Sequence, residues 1–187
     1  MRVLLIFLLC ACIGEYAAAQ QNEDEKIVLS LITGDDGNHP CVCSDDACMA
    51  AWIAKQVNLY IDRDTLLHLS DADRTELNSK MLTAQHATPW PGKTLENMPL
   101  VSSDTIKNIL GDSTKGGVYF NKKYGPTLYT FARPVFFHNN TICIVYYSES
   151  EIFGNGEDDG GYSCEIDIYV NVGGVWDKKI WILKMIS

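Results

Sequence analysis

Positive charge is scarce in this sequence: 15 lysines and arginines stand against 24 aspartates and glutamates, a formal net charge of -9. Nucleic acid is held mainly by Lys and Arg neutralising phosphates, and no basic stripe interrupts the acidic balance, so nucleic acid is excluded as a partner. The carboxylate excess itself needs no ligand, because net charge of either sign serves solubility. Long apolar runs are missing as well. The run Val3–Ile13 is stopped by Gly14 and Glu15, well short of the roughly 20 residues that cross a hydrocarbon core. No transmembrane span is therefore expected in the mature chain. Only four histidines are present, with neither a G-x-S-x-G elbow nor an H-E-x-x-H helix. A hydrolase of the nucleophilic kind needs Ser or Cys, a His base and an orienting acid, and no spacing here assembles them. No cofactor is expected.

What is present begins at the N-terminus. Arg2, the apolar run and the small residues Ala17 and Ala19 have the charged, hydrophobic and cleavable parts of a signal peptide. Residues 1–19 are read as that peptide and residues 20–187 as a single α+β domain, exported to the periplasm or the extracellular space. The stretch Leu9-Cys10-Ala11-Cys12 offers an alternative: acylation at Cys12 would tether the chain to a membrane, although firm attachment by lipid usually takes two signals. A mature chain of this length buries on the order of 70% of the surface its unfolded form exposes, enough for one core.

Outside the signal peptide, Cys41, Cys43, Cys48, Cys143 and Cys164 are an odd number of thiols in an oxidising setting, so one at least stays unbridged or pairs outside the chain. His39, Cys41, Cys43 and Cys48 gather one imidazole and three thiols. The spacing departs from structural zinc motifs, and a disulfide from Cys48 to Cys41 or Cys43 is the preferred reading. Cys41 and Cys43 are too close to favour bridging each other. Cys143 and Cys164 fall on neighbouring strands of a meander, where a cross-strand bridge or two buried thiols are equally compatible with the pattern.

Element signals divide the chain. Ser44 is placed to cap a helix reaching Gln56, and Val57–Ile61 alternates like a strand. Ser70 and Asp73 form a capping box for a helix from Asp71 to about Gln85. A short helix from Ser103 or Asp104 to Leu110 closes at Gly111, where a left-handed residue is expected. The last third is rich in β-branched and aromatic residues and reads as four strands. The first runs from about Leu128 to Phe137; the second, Thr141–Ser148, is apolar on both faces and so central. In the third, Cys164, Ile166, Ile168 and Val170 alternate with Glu165, Asp167, Tyr169 and Asn171, which predicts one dry face and one wet one. Gly173-Gly174 makes a two-residue hairpin into the last strand, Val175–Ile186. A strict register there turns Asp177 and Lys179 toward the dry face, so a bulge before Ile180, or a strand start beyond the helices' cover, is required. The fold class is α+β, with N-terminal helices packed on a four- or five-stranded antiparallel C-terminal sheet.

The strand Phe131-Ala132-Arg133-Pro134-Val135-Phe136, the strand Cys143-Ile144-Val145-Tyr146-Tyr147, the Gly-rich loop Gly154–Gly161 and the hairpin Gly174-Val175-Trp176 together resemble a group of exported bacterial proteins without assigned activity. Many of these carry lipoprotein signals, and their C-termini show an SRPVF strand, a CGxxCGGG-like loop and an NGKW hairpin. The resemblance covers roughly residues 118–187, and Tyr60-Ile61-Asp62 with Thr65 extends it to an earlier strand and turn. Ala132 replaces the serine, and Glu157-Asp158-Asp159 stands where the paired cysteines occur. It implies export and an antiparallel β region, and no chemistry.

Other constellations read as ordinary surface or core. His138 has no reason to meet Cys143, and His68 and His86 flank a helix without an evident partner. Glu157-Asp158-Asp159 and Asp35-Asp36-Gly37-Asn38 lack the alternating oxygens of a Ca²⁺ loop. Trp90, Tyr119, Tyr124 and Tyr129 could face a sugar or peptide, but aromatics in such a domain mostly fill its core. The expectation is a non-enzymatic binding or envelope-associated protein with an unidentified protein or small-molecule ligand; the alternative is an extracytoplasmic hydrolase whose catalytic residues the sequence does not reveal.

Overall fold

The structure, a computed structural model, describes residues 20, 22–34, 41–44, 49–61, 66–86, 90, 98–112, 115–152 and 161–186. The chain forms two compact units, Met1–Asp35 and Asp36–Ser187. In the first, residues 22–33 are helical (α1), and Lys26 pairs with Glu23 one turn back at 3.1 Å. Among the described residues no helix is long and apolar enough to cross a membrane. The signal-peptide segment and Cys12 lie outside the described residues.

The second unit is α+β. Its elements run β1 (Cys41–Cys43), α2 (Ala51–Ile61), α3 (Asp71–Ala84), β2 (Leu100–Val101), α4 (Ser103–Leu110), α5 (Gly116–Tyr124), β3 (Thr127–Phe131), β4 (Val135–Phe137), β5 (Ile142–Glu151), β6 (Tyr162–Val172) and β7 (Val175–Ile186). They build a seven-stranded sheet in the order β2-β1-β3-β5-β6-β7, with β4 also on β5. The expected four- or five-stranded antiparallel sheet is thus corrected: β1 runs parallel to both β2 and β3, and the sheet is mixed. Two- and three-residue strands such as β2 and β1 have no sequence period to announce them, because neighbours rather than patterning recruit them.

Val57–Ile61 is a second correction, since it completes α2 instead of forming a strand. Ile53, Ala54, Val57 and Ile61 are its buried side chains, a 3.6-residue spacing that wins over the five-residue alternation. The helix α3 follows its capping box as expected: Ser70 Oγ accepts from the Asp73 amide at 3.2 Å, and Asp73 accepts from the Ser70 amide at 2.9 Å. At the end of α4, Gly111 is right-handed (φ -63°), not left-handed. Glycine stands there for space, because a Cβ would meet the Lys107 carbonyl oxygen at 2.9 Å. The predicted strand from Leu128 to Phe137 breaks in two at Ala132-Arg133-Pro134, where proline has no amide to give a ladder.

The hairpin behaves as its glycines require. Gly173 and Gly174 have φ of 64° and 90°, and Val172 faces Val175. Register shifts between Ile168 and Tyr169 and again between Ile166 and Asp167. The first of these bulges lies before Ile180 and returns it to the core. On one face of the sheet Ile142, Ile144, Ile166, Ile168 and Ile180 meet Ile53, Val57, Leu77 and Met81 of α2 and α3. That face alone is the one the alternation foretold.

Candidate functional site

The opposite face of β6 is where expectation and structure part. Glu165, Asp167 and Tyr169 were to face water, yet they are 8%, 0% and 3% exposed. On β5 the same side carries Cys143, Val145 and Tyr147, all buried, and on β3 Tyr129 stacks on Phe131 at 5.5 Å between ring centres. Tyr147 packs on both rings. Two carboxylates therefore sit in an aromatic layer. Tyr147 Oη donates to Glu165 Oε2 at 2.9 Å. From β7, Lys178 Nζ reaches Asp167 Oδ2 at 2.7 Å and Glu165 Oε2 at 3.4 Å. The register faces Lys178 to Tyr169, one bulge away from Asp167. Lys178 is thus the cation held against Asp167, whose side chain has no exposed surface.

Burial dominates the electrostatics. The Asp167 carboxyl is raised above its ordinary value, first by desolvation and against the pull of Lys178. The Tyr147 and Tyr169 phenols are raised too, by burial first and then by the Asp167 charge. One lysine thus serves two carboxylates in a place where an uncompensated charge is expensive. Sequence reading missed this set, although one signal was available: β5, apolar on both faces, cannot be dry on its second side while its neighbour β6 is wet there.

A second constellation joins α3 to the turn after β4. His138 Nδ1 lies 2.8 Å from Asp73 Oδ1, the His138 amide donates to Glu76 at 3.1 Å, and Lys80 Nζ donates to the Phe136 carbonyl at 2.7 Å. His138, Asn139 and Asn140 all have positive φ, between 53° and 59°, and these bonds hold that unusual turn. Ser70, Asp73 and His138 are the three residue types of a hydrolytic triad in the wrong order. Ser70 Oγ donates to Asp73 at 2.6 Å, so the aspartate separates serine from histidine. Asp73, held down to about 2 by its bonds from Ser70 and then His138, is too weak a base to activate a hydroxyl.

A third feature is an open groove of 460 Å³ between α2 and α3, lined by Ala51, Ala54, Lys55, Asn58, Asn78 and Met81 among others. The exposed Leu59 and Leu82 also border it. Lys55, Asn58 and Asn78 have no side-chain partner among the described residues. Nothing in the sequence marked it, because the two faces meet only when the helices pack.

The remaining sequence candidates disperse. His39 and Cys48, proposed with Cys41 and Cys43 for metal or disulfide, lie outside the described residues, as do Asp35–Asn38 and Glu157–Asp159. Cys41 is buried and its thiol is pushed up to about 12, mainly by desolvation; Cys43 is buried beside it. Among the described residues no group of three His, Cys, Asp or Glu could hold a metal ion. The Cys143–Cys164 bridge is corrected: the ladder sets Cys143 opposite Tyr169 and Cys164 opposite Ser148, and both remain thiols. Five ladder steps of about 3.3 Å separate them. Trp90 is buried, donating from Nε1 to the Phe131 carbonyl at 3.2 Å with the Arg133 guanidinium 4.4 Å above its ring. Tyr129 is buried too, and Lys123 lies over the rings of Tyr119 and Tyr124. No shared aromatic platform results. His68 has a left-handed backbone (φ 50°) before α3, and His86 is exposed after it.

The class these features define is an α+β domain with a buried carboxylate–lysine–tyrosine cluster on one side of its sheet and a helix-lined groove on the other. No protein-family model matches the chain, and neither the curated proteins nor the solved structures contain a match to it.

Proposed function

We propose that the chain is an exported, non-enzymatic binding domain, periplasmic or extracellular, whose ligand sits between α2 and α3. The groove carries this reading. Ala51, Ala54 and Met81 supply apolar lining, and Lys55 is the one formal charge among the described residues that line it. In a chain of net charge -9, a lone ammonium beside unengaged carboxamides selects an anionic end, and the apolar lining selects a hydrocarbon body. The ligand is a small amphiphilic acid. Export rests on the apolar run from Val3 to Ile13 with Ala17 and Ala19, and on the resemblance to exported proteins; tethering through Cys12 is the alternative placement. An extracytoplasmic hydrolase has less support, because Ser70 bonds Asp73 in place of a base and the carboxylates of β6 are buried.

The test is an NMR titration of the purified chain with sodium octanoate and, separately, octylamine. Octanoate is expected to shift backbone amides of α2 and α3 saturably, octylamine to leave them in place, and Lys55→Glu to abolish the octanoate response. Shifts confined to other elements, or equal responses to both amphiphiles, would remove the groove as the site. Turnover of a chromogenic ester that survives repurification would favour the hydrolase.

A further inference from the structure

The Asp167–Lys178–Glu165 arrangement does more than balance charge. A carboxylate with no exposed surface is touched at 2.7 Å by a lysine on the neighbouring strand. A second carboxylate stands 3.4 Å from the same nitrogen and is itself oriented by Tyr147 Oη. An amine, a carboxyl carbon and a proton carrier are thus held together on a rigid sheet, within an aromatic layer that keeps water from the acid. Such placement replaces the entropy cost of bringing the reactants together and, for the buried acid, favours the neutral form that condensation needs.

We propose that Lys178 and Asp167 form an intramolecular isopeptide bond, with Glu165 as the proton carrier. A proton first passes from the Lys178 ammonium to the Asp167 carboxylate, which leaves the side chain with no exposed surface uncharged. The lone pair of Nζ then attacks Cγ of Asp167. Glu165 takes a proton from the nitrogen and returns it to a hydroxyl on Cγ, the C–O bond breaks, and that oxygen leaves as water. One ammonium and one carboxylate become one amide and one water, with no oxidant, reductant or further reagent. The product ties the edge strand β7 to β6 across the bulge at Ile168 and Tyr169, which hardens the end of the sheet that has a neighbour on one side only. The proposal is independent of the groove and of its ligand.

Intact-mass spectrometry of the folded, purified chain tests it, with tryptic mapping. The wild-type chain is expected to weigh one water molecule less than its sequence. Trypsin should fail to cut after Lys178, leaving a fragment from Tyr124 to Lys179 that is light by the same amount. Lys178→Arg should show the full sequence mass, and Glu165→Gln, whose amide still accepts from Tyr147, should retain most of its water. Circular dichroism melting establishes that each variant is folded, so a lost reaction is separated from a lost structure. A folded wild-type chain that keeps its full mass after days at neutral pH overturns the proposal. So does a water loss that persists in Lys178→Arg, which would place the dehydration at another residue.

Discussion

At the scale of the residue, Lys178 carries more than any other side chain on the sheet. It is partly exposed and reaches inward to two carboxylates, one of them completely buried. Removing it leaves Asp167 with its desolvation uncompensated, a change that costs about 3 kcal/mol at the low end of the range for broken buried pairs. Lys178→Met is therefore expected to lower the urea unfolding free energy at neutral pH by about that amount relative to Lys178→Arg, which keeps the charge and cannot form the amide. Adding Asp167→Asn to the same chain should recover most of the loss, since the pair is then replaced by uncharged groups. An unfolding midpoint equal in Lys178→Met and Lys178→Arg would show that water reaches Asp167 in the folded protein. The three consecutive positive-φ residues from His138 to Asn140 make the opposite point: an unusual backbone is held by bonds from α3.

At the scale of the element, two glycines separate space from conformation. Gly116 opens α5, and a methyl group there would meet the Ile109 carbonyl oxygen at 2.2 Å, so α5 starts against the end of α4 only because this residue has no side chain. Gly174, at φ 90°, has nothing within 4 Å of where its Cβ would sit. Gly174→Ala should cost about 1–2 kcal/mol from backbone strain alone. Gly116→Ala should cost about 1–3 kcal/mol or more, because two helices must separate. Thermal melts of both variants check this, with Gly116→Ala also expected to shift amide signals across α4 and α5, and Gly174→Ala only those near the hairpin. Equal and local effects would mean that α4 and α5 do not meet as described.

At the scale of the whole molecule, two aspartates respond to acid with opposite sign. Asp73 is depressed from an ordinary value of 3.8 to about 2 by Ser70 and His138. Its stabilisation is complete above 3.8 and is lost as pH falls through about 2. Before any amide forms, the free Asp167 carboxyl is raised by burial, so it costs nothing below its unfolded value and opposes folding increasingly as pH climbs through its folded one. Acidification therefore weakens the tie between α3 and the turn after β4 while relieving the layer beneath β6. The melting temperature of Asp73→Asn is expected to fall below that of the wild type at pH 7, and the gap to close as pH approaches 2. A gap that persists at pH 2 would mean that the lost cap, rather than the charge, carries the effect.

The helical cap at Ser70, the glycine hairpin, the alternation of Ile166 with Ile168 and the bulge before Ile180 were legible in the sequence, since each follows from interactions among residues close along the chain or from a strict period of two. So was the α+β class. Tertiary structure decided the rest. Five apolar-spaced residues at Val57–Ile61 satisfy either period until α2 finds its partners, and β1 and β2 are strands only because their neighbours supply a ladder. The polar side of β6 is dry because β5 and β3 are aromatic beside it, and Lys178 meets Asp167 because a bulge moves one strand by one residue. Local rules speak for a face or a turn; which groups become neighbours, and whether water reaches them, depends on segments far apart in sequence.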